Sequence, residues 1–89
     1  MTCYIVTFEV KDSAKLTLLK EGLKSYGSHC PINASTWAII TENTAAQIRD
    51  HLMSLIDLND RLFVVRSGAE AAWRNAYGQA HTDWLKRYL

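Results

Sequence analysis

The spacing of apolar residues changes period several times along these 89 residues, and that switching constrains the fold more than any single motif does. From Thr2 to Val10 the pattern alternates, with Tyr4, Val6, Phe8 and Val10 on one side and Cys3, Ile5, Thr7 and Glu9 on the other. A period of two is strand geometry. Both sides are largely apolar, so this strand is expected at the centre of a sheet. The period then lengthens: Leu16, Leu19, Leu23 and Tyr26 recur three and four apart and line one face of a helix. Asp12 and Ser13 are placed to cap its start, and Gly27 is expected to end it in the left-handed conformation.

His29 to Asn33 reads as a weak strand containing Pro31. A residue without a backbone donor is tolerated at a sheet edge, so this strand is expected outermost. Ser35 to Thr41 alternates again, Trp37, Ile39 and Thr41 against Thr36, Ala38 and Ile40, and its β-branched and aromatic content predicts a second central strand. Thr44-Ala-Ala-Gln47 has the form of a capping box, with Ile48, Leu52 and Leu55 as the buried stripe of the helix it opens. Asp57 to Asp60 predicts a turn, and Arg61 to Arg66 a further strand around Leu62, Phe63, Val64 and Val65. The order is βαββαβ. Helices apolar on one side only would both cover the same face of a four-stranded antiparallel sheet, which makes the chain an α+β, ferredoxin-like sandwich in a single domain.

Residues 67–89 form an extension carrying Trp73, Tyr77, Trp84, Leu85 and Tyr88, which would be costly to leave in water at ~25 cal/mol per Å². Ala80, Trp84 and Tyr88, four apart, predict a last short helix, with Asp83 and Arg87 as an i,i+4 pair. Glu70 to Arg74 reads as a strand added to a sheet edge. The extension is expected to lie on the bare sheet face or to cross to a second subunit, so that it packs across a dimer.

The net charge of +1 gives no overall excess of the kind a dedicated nucleic-acid binder carries. Locally, Arg61, Arg66, Arg74, Lys86 and Arg87 outnumber Glu70 and Asp83 in the last third. The two cysteines, Cys3 and Cys30, lack CxxC spacing, and the opening residues lack the layout of a signal peptide. A reduced, cytoplasmic protein is expected. No apolar run approaches the ~20 residues that span a bilayer, so no membrane partner is expected. His29, His51 and His81 form no zinc-ligand spacing with the cysteines. Ser28, His29 and Cys30 are adjacent on a strand and point to alternate faces, which does not suit a nucleophile and its base.

Leu23-Lys-Ser-Tyr-Gly, Ser35-Thr36-Trp37, Leu62-Phe-Val-Val and Trp84-Leu-Lys together resemble the small bacterial proteins called SinR-like. That group is similar to the second CRISPR-associated adaptation protein and, more distantly, to the VapD toxins. The resemblance implies a ferredoxin-like homodimer in which carboxyl-terminal segments extend the sheets across the interface. It also implies association with RNA or DNA and, in the CRISPR-associated branch, a divalent metal, Mg²⁺ or Mn²⁺, held by an aspartate at the end of the first strand in an endonuclease. In this chain Glu9 stands at that place, one methylene longer, and Mg²⁺ is demanding about geometry.

Glu9 therefore has two readings, half of a metal-binding catalytic carboxylate pair or a strand-end carboxylate in water. Asp12 is either a weaker metal ligand or the helix cap. Lys11, Lys15, Lys86 and Arg87 either contact nucleic-acid phosphates or form solvated surface. Tyr26, Trp37, Trp73, Trp84 and Tyr88 either stack on bases or pack in the core. The leading expectation is a dimeric nucleic-acid-associated protein, with metal-dependent cleavage of phosphodiesters as its possible chemistry. The rival is a catalytically inactive protein-interaction module or scaffold in a toxin–antitoxin or defence system.

Overall fold

A computed structural model describes residues 2–68, 72, 74 and 76–88. Strand β1 (Thr2–Glu9) leads into helix α1 (Ser13–Lys24), and the hairpin β2 (Ser28–Asn33) and β3 (Thr36–Thr41) into helix α2 (Ala45–Met53). Strand β4 (Arg61–Arg66) and helix α3 (Gln79–Tyr88) complete the order. The sheet is antiparallel in the order β2-β3-β1-β4, the ferredoxin-like arrangement. The two strands read as central are central, and the strand carrying Pro31 is an edge.

Period-two alternation divides the core. Tyr4, Val6, Phe8, Trp37 and Ile39 face the helices and pack with Leu19, Leu23, Ile48 and Leu52. On the other face Cys3, Ala38 and Ile40 form a smaller cluster with Ile5, Ile32 and Trp84. The two covering helices approach closely at Gly22, where an added Cβ would stand 2.6 Å from Leu55 Cδ1. Tyr26 Oη lies 2.8 Å from His51 Nδ1 across the same seam.

Local signals account for most element ends. Asp12 Oδ1 accepts from the backbone N–H of Ala14 and of Lys15 at 2.9 and 3.1 Å. The capping box forms in full: Gln47 N–H donates to Thr44 Oγ1 at 3.2 Å, and Thr44 N–H donates to Gln47 Oε1 at 2.9 Å. Thr44→Ala is expected to lower stability by about 1 kcal/mol, seen as a Tm lower by about 4–8 °C. Asn33 Oδ1 accepts from Ser35 N–H at 3.0 Å and closes the hairpin turn. One expected device is absent at its place. Gly27 does not have a positive φ; α1 ends instead with Ser25 still right-handed, its N–H and Oγ both bonded back into the last turn.

The extension folds onto its own chain where it is described. Helix α3 forms over the predicted residues and packs on β2; Trp84 Nε1–H donates to Ser28 Oγ at 2.9 Å. Its ring lies 4.7 Å from that of Tyr88, centre to centre. Asp83 accepts from Gln79 Nε2 at 2.8 Å and forms no ion pair with Arg87 among the described residues. The proposed strand from Glu70 to Arg74, and Trp73 within it, lie outside the described residues for the most part. No described helix is long and apolar enough to cross a membrane.

Burial raises the pKa of Cys3, Cys30 and Tyr26 above the ordinary values. For Cys3 a hydrogen bond to Ser67 partly opposes it, and for Tyr26 one to Asn43 does. The native state thus favours the neutral acids while the unfolded chain ionises first. Their contribution is complete below the ordinary thiol range and is lost as pH climbs through it. The urea midpoint is expected to fall between about pH 7 and about pH 10.

Candidate functional site

Glu9 ends β1 and Arg61 begins β4, and the antiparallel register sets them opposite each other. Arg61 Nη1 donates to Glu9 Oε1 at 2.9 Å. Both side chains are exposed, on the rim of a groove of about 750 Å³ lined by Thr7, Ser35, Asp60 and Phe63. The groove opens onto the sheet face opposite α1 and α2. On that face the Oγ1 atoms of Thr7 and Thr36 are 3.4 Å apart.

Every acidic side chain at this end of the sheet already has a partner. Glu9 holds Arg61. Asp12 caps α1. Asp57 pairs with Lys15, and Asp60 accepts from the backbone N–H of Asp57 at 2.9 Å and of Lys11 at 3.4 Å. Among the described residues no group of three or more His, Cys, Asp or Glu side chains could hold a metal ion. One chain's described residues therefore do not fit Mg²⁺ or Mn²⁺ at Glu9 and Asp12: an octahedral ion needs several converging oxygens, and with Glu9 Oε1 on Arg61 and Asp12 Oδ1 on two backbone amides each carboxylate has one oxygen left. Because the Glu9–Arg61 pair is exposed, Glu9→Gln is expected to change stability by less than about 1 kcal/mol, read as a nearly unchanged thermal midpoint.

The basic candidates do not form one patch. Lys11 and Lys15 lie where β1 ends and α1 begins, and Lys15 is engaged by Asp57, which raises its pKa. Lys86 and Arg87 are exposed on the last turn of α3. Arg87 borders a second cavity of about 490 Å³ with Cys3, Ser28 and Ile40, at the opposite end of β1. Cys3 and Glu9 are six strand residues apart, about 20 Å at ~3.3 Å per residue. Of the aromatic candidates, Tyr26 and Trp37 are buried and Trp84 is half-buried, while Tyr88 is exposed.

The side chains that stand out are ones the sequence pattern did not single out. Helix α3 covers the β2–β3 half of the open face through Trp84. The β1–β4 half keeps Phe63 61% exposed and Val65 44% exposed. The two edges also differ. Strand β2 carries Pro31 and a register shift beside it. Strand β4 is regular over six residues, pairs with β1 without interruption, and has no partner on its outer side among the described residues. Between that edge and α2 runs a shallow groove of about 260 Å³ floored by Ala45, Ala46 and Val64. The topology held the missed signal: once Leu62 and Val64 face the helices, Phe63 and Val65 must face away.

No family model matches the chain. A solved structure, that of a hypothetical protein TT1823 from Thermus thermophilus, superposes with a TM-score of 0.70 at 22% identity, covering 84% of this chain and 92% of that one. At that identity the likeness establishes the fold alone.

Proposed function

We propose that the chain is a non-catalytic interaction module whose working surface is the outer edge of β4 with the adjoining open face around Phe63 and Val65. The observation that carries this reading is the regular β4 edge, which has no strand on its outer side among the described residues. Proteins blunt exposed strands with proline, bulges, inward charges or a covering element. Here β2 has Pro31 and a register shift and α3 packs against it, whereas β4 carries charge only at its two ends, Arg61 and Arg66, has no covering element on its outer side among the described residues, and presents the exposed Phe63 beside its outward backbone groups. An added strand takes affinity from main-chain hydrogen bonds and specificity from alternate side chains. The expected partner class is protein, including a homodimer of the chain, and the setting is a reduced, cytoplasmic one in which Cys3 and Cys30 remain thiols.

A second reading keeps nucleic-acid backbone as the partner and Mg²⁺- or Mn²⁺-dependent cleavage as the activity. It is favoured by the exposed Glu9 and Arg61 on the rim of the 750 Å³ groove and needs carboxylates from a second chain. Labelled single- and double-stranded RNA and DNA, incubated with the protein and either metal, separate the two. The interaction reading expects no chelator-sensitive cleavage. Chelator-sensitive cleavage that disappears in Glu9→Gln would transfer the assignment to the second reading.

A further inference from the structure

We propose that the cavity of about 490 Å³ beside the last turn of α3 is a binding site for a small apolar monocarboxylate, with the hydrocarbon body on the sheet and the carboxylate on Arg87. None of the lining belongs to β4, so binding here is independent of the edge described above.

The strand register builds the floor. Cys3 of β1 and Ser28 of β2 both stand opposite Ile40 of β3, so the three side chains form one row across the sheet, on the face turned away from α1 and α2. Trp84 packs on the cluster around Ala38 on the same face, and the turn of helix that follows brings Arg87 and Tyr88 to the border of the cavity. The Trp84 and Tyr88 rings, 4.7 Å apart between centres, carry an aromatic wall from the packed part of that face to the open part. Gly27 completes the lining. Neither backbone nor packing requires glycine there: its φ is not positive, and an added Cβ would meet nothing within 4 Å. What the missing side chain leaves is space at the cavity's edge.

The lining selects the ligand by charge. Cys3 and Ile40 are each 9% exposed and give the floor its apolar character. Burial keeps Cys3 a neutral thiol at neutral pH. Arg87 is the one charged residue of the lining and has no carboxylate partner among the described residues. Ser28 Oγ accepts from Trp84 Nε1–H, which leaves the hydroxyl its own proton to donate. The cavity thus offers hydrogen-bond donors beside an apolar floor, with no acidic side chain in its lining. A cation would be repelled by Arg87, and a multiply charged anion would bring charge that one guanidinium does not balance over apolar surface. A single carboxylate matches the guanidinium fork with two parallel hydrogen bonds. The volume falls within the ~300–1,000 Å³ of small-molecule pockets.

The test is titration of the full chain with octanoate, read from backbone amide shifts in NMR spectra, with octanol and octylammonium as probes of equal length and different charge. Saturable shifts at the amides of Gly27, Ser28 and Ile40 are expected with octanoate, and binding of the other two probes weaker by about tenfold or more. Arg87→Gln should weaken octanoate by a similar factor, and Arg87→Lys should restore part of the loss by supplying the charge without the fork. Arg87 is exposed, so both variants should keep the wild-type spectrum away from the cavity. No saturable shift at these three amides up to millimolar octanoate would overturn the site, as would unsaturating shifts spread over the other exposed apolar side chains. Octanoate binding that Arg87→Gln leaves unchanged, or that octanol equals, would overturn the carboxylate as the group recognised.

Discussion

Trp84→Ala is expected to detach α3 from the sheet and lower unfolding stability by about 2–3 kcal/mol, somewhat below the cost of a fully buried tryptophan because this ring is half-buried. The ring covers Cys3, Ala38 and Ile40, and its N–H satisfies Ser28 Oγ. Its removal exposes an apolar cluster and leaves that hydroxyl without its donor. The loss is a large fraction of what holds a domain of this size together. A second observable separates detachment from general weakening. Cys3 is buried with a raised pKa, so in wild type its thiol should react slowly with a disulfide reagent at neutral pH. In Trp84→Ala it should react several times faster in the absence of denaturant, and so should Cys30, which is paired with Ala38 on the same face beneath α3. Unchanged Cys3 reactivity together with an unchanged urea midpoint would show that α3 contributes little to this face.

Phe63→Lys is expected to leave the fold intact and weaken self-association by at least about 30-fold, since truncating or charging a central aromatic contact typically costs ~2 kcal/mol or more. The residue is largely exposed within one chain, so its loss should shift the thermal midpoint of the dilute protein little. Sedimentation over a concentration series reads the effect. Equal association constants for variant and wild type would remove Phe63 from the interface.

The elements of this fold were legible because each carries its own local signal. The capping box at Thr44 and Gln47, the proline of β2 and the alternation of β1 and β3 each reported one element, and together they left a single plausible sheet order. The end of α1 departs from its sequence pattern: glycine after an apolar stripe usually adopts the left-handed conformation, whereas here Ser25 closes the turn with its own backbone and hydroxyl. The site was less legible because it is made of pairings. Asp12 was legible as a helix cap because capping is local, but nothing local in the sequence indicates that Arg61, far along the chain, holds Glu9. Lys15 looked like a phosphate contact until Asp57, 42 residues away, was brought beside it. Phe63 was hidden for the opposite reason: within Leu62-Phe-Val-Val every residue is apolar, and only the presence of helices on one face decides which two remain outside.

Hydrogen exchange at the amides of Leu62, Val64 and Arg66 tests the central claim most directly: Ser67 N–H donates to Cys3 O, so the odd-numbered residues of β4 bond to β1 and these even-numbered ones direct their backbone groups outward. The account predicts that the Leu62 and Val64 amides become protected as the protein is raised from micromolar to millimolar concentration, while the inward amides of Phe63 and Val65 are protected throughout. Fast exchange at Leu62 and Val64 that does not change with concentration would contradict pairing of this edge with a second copy.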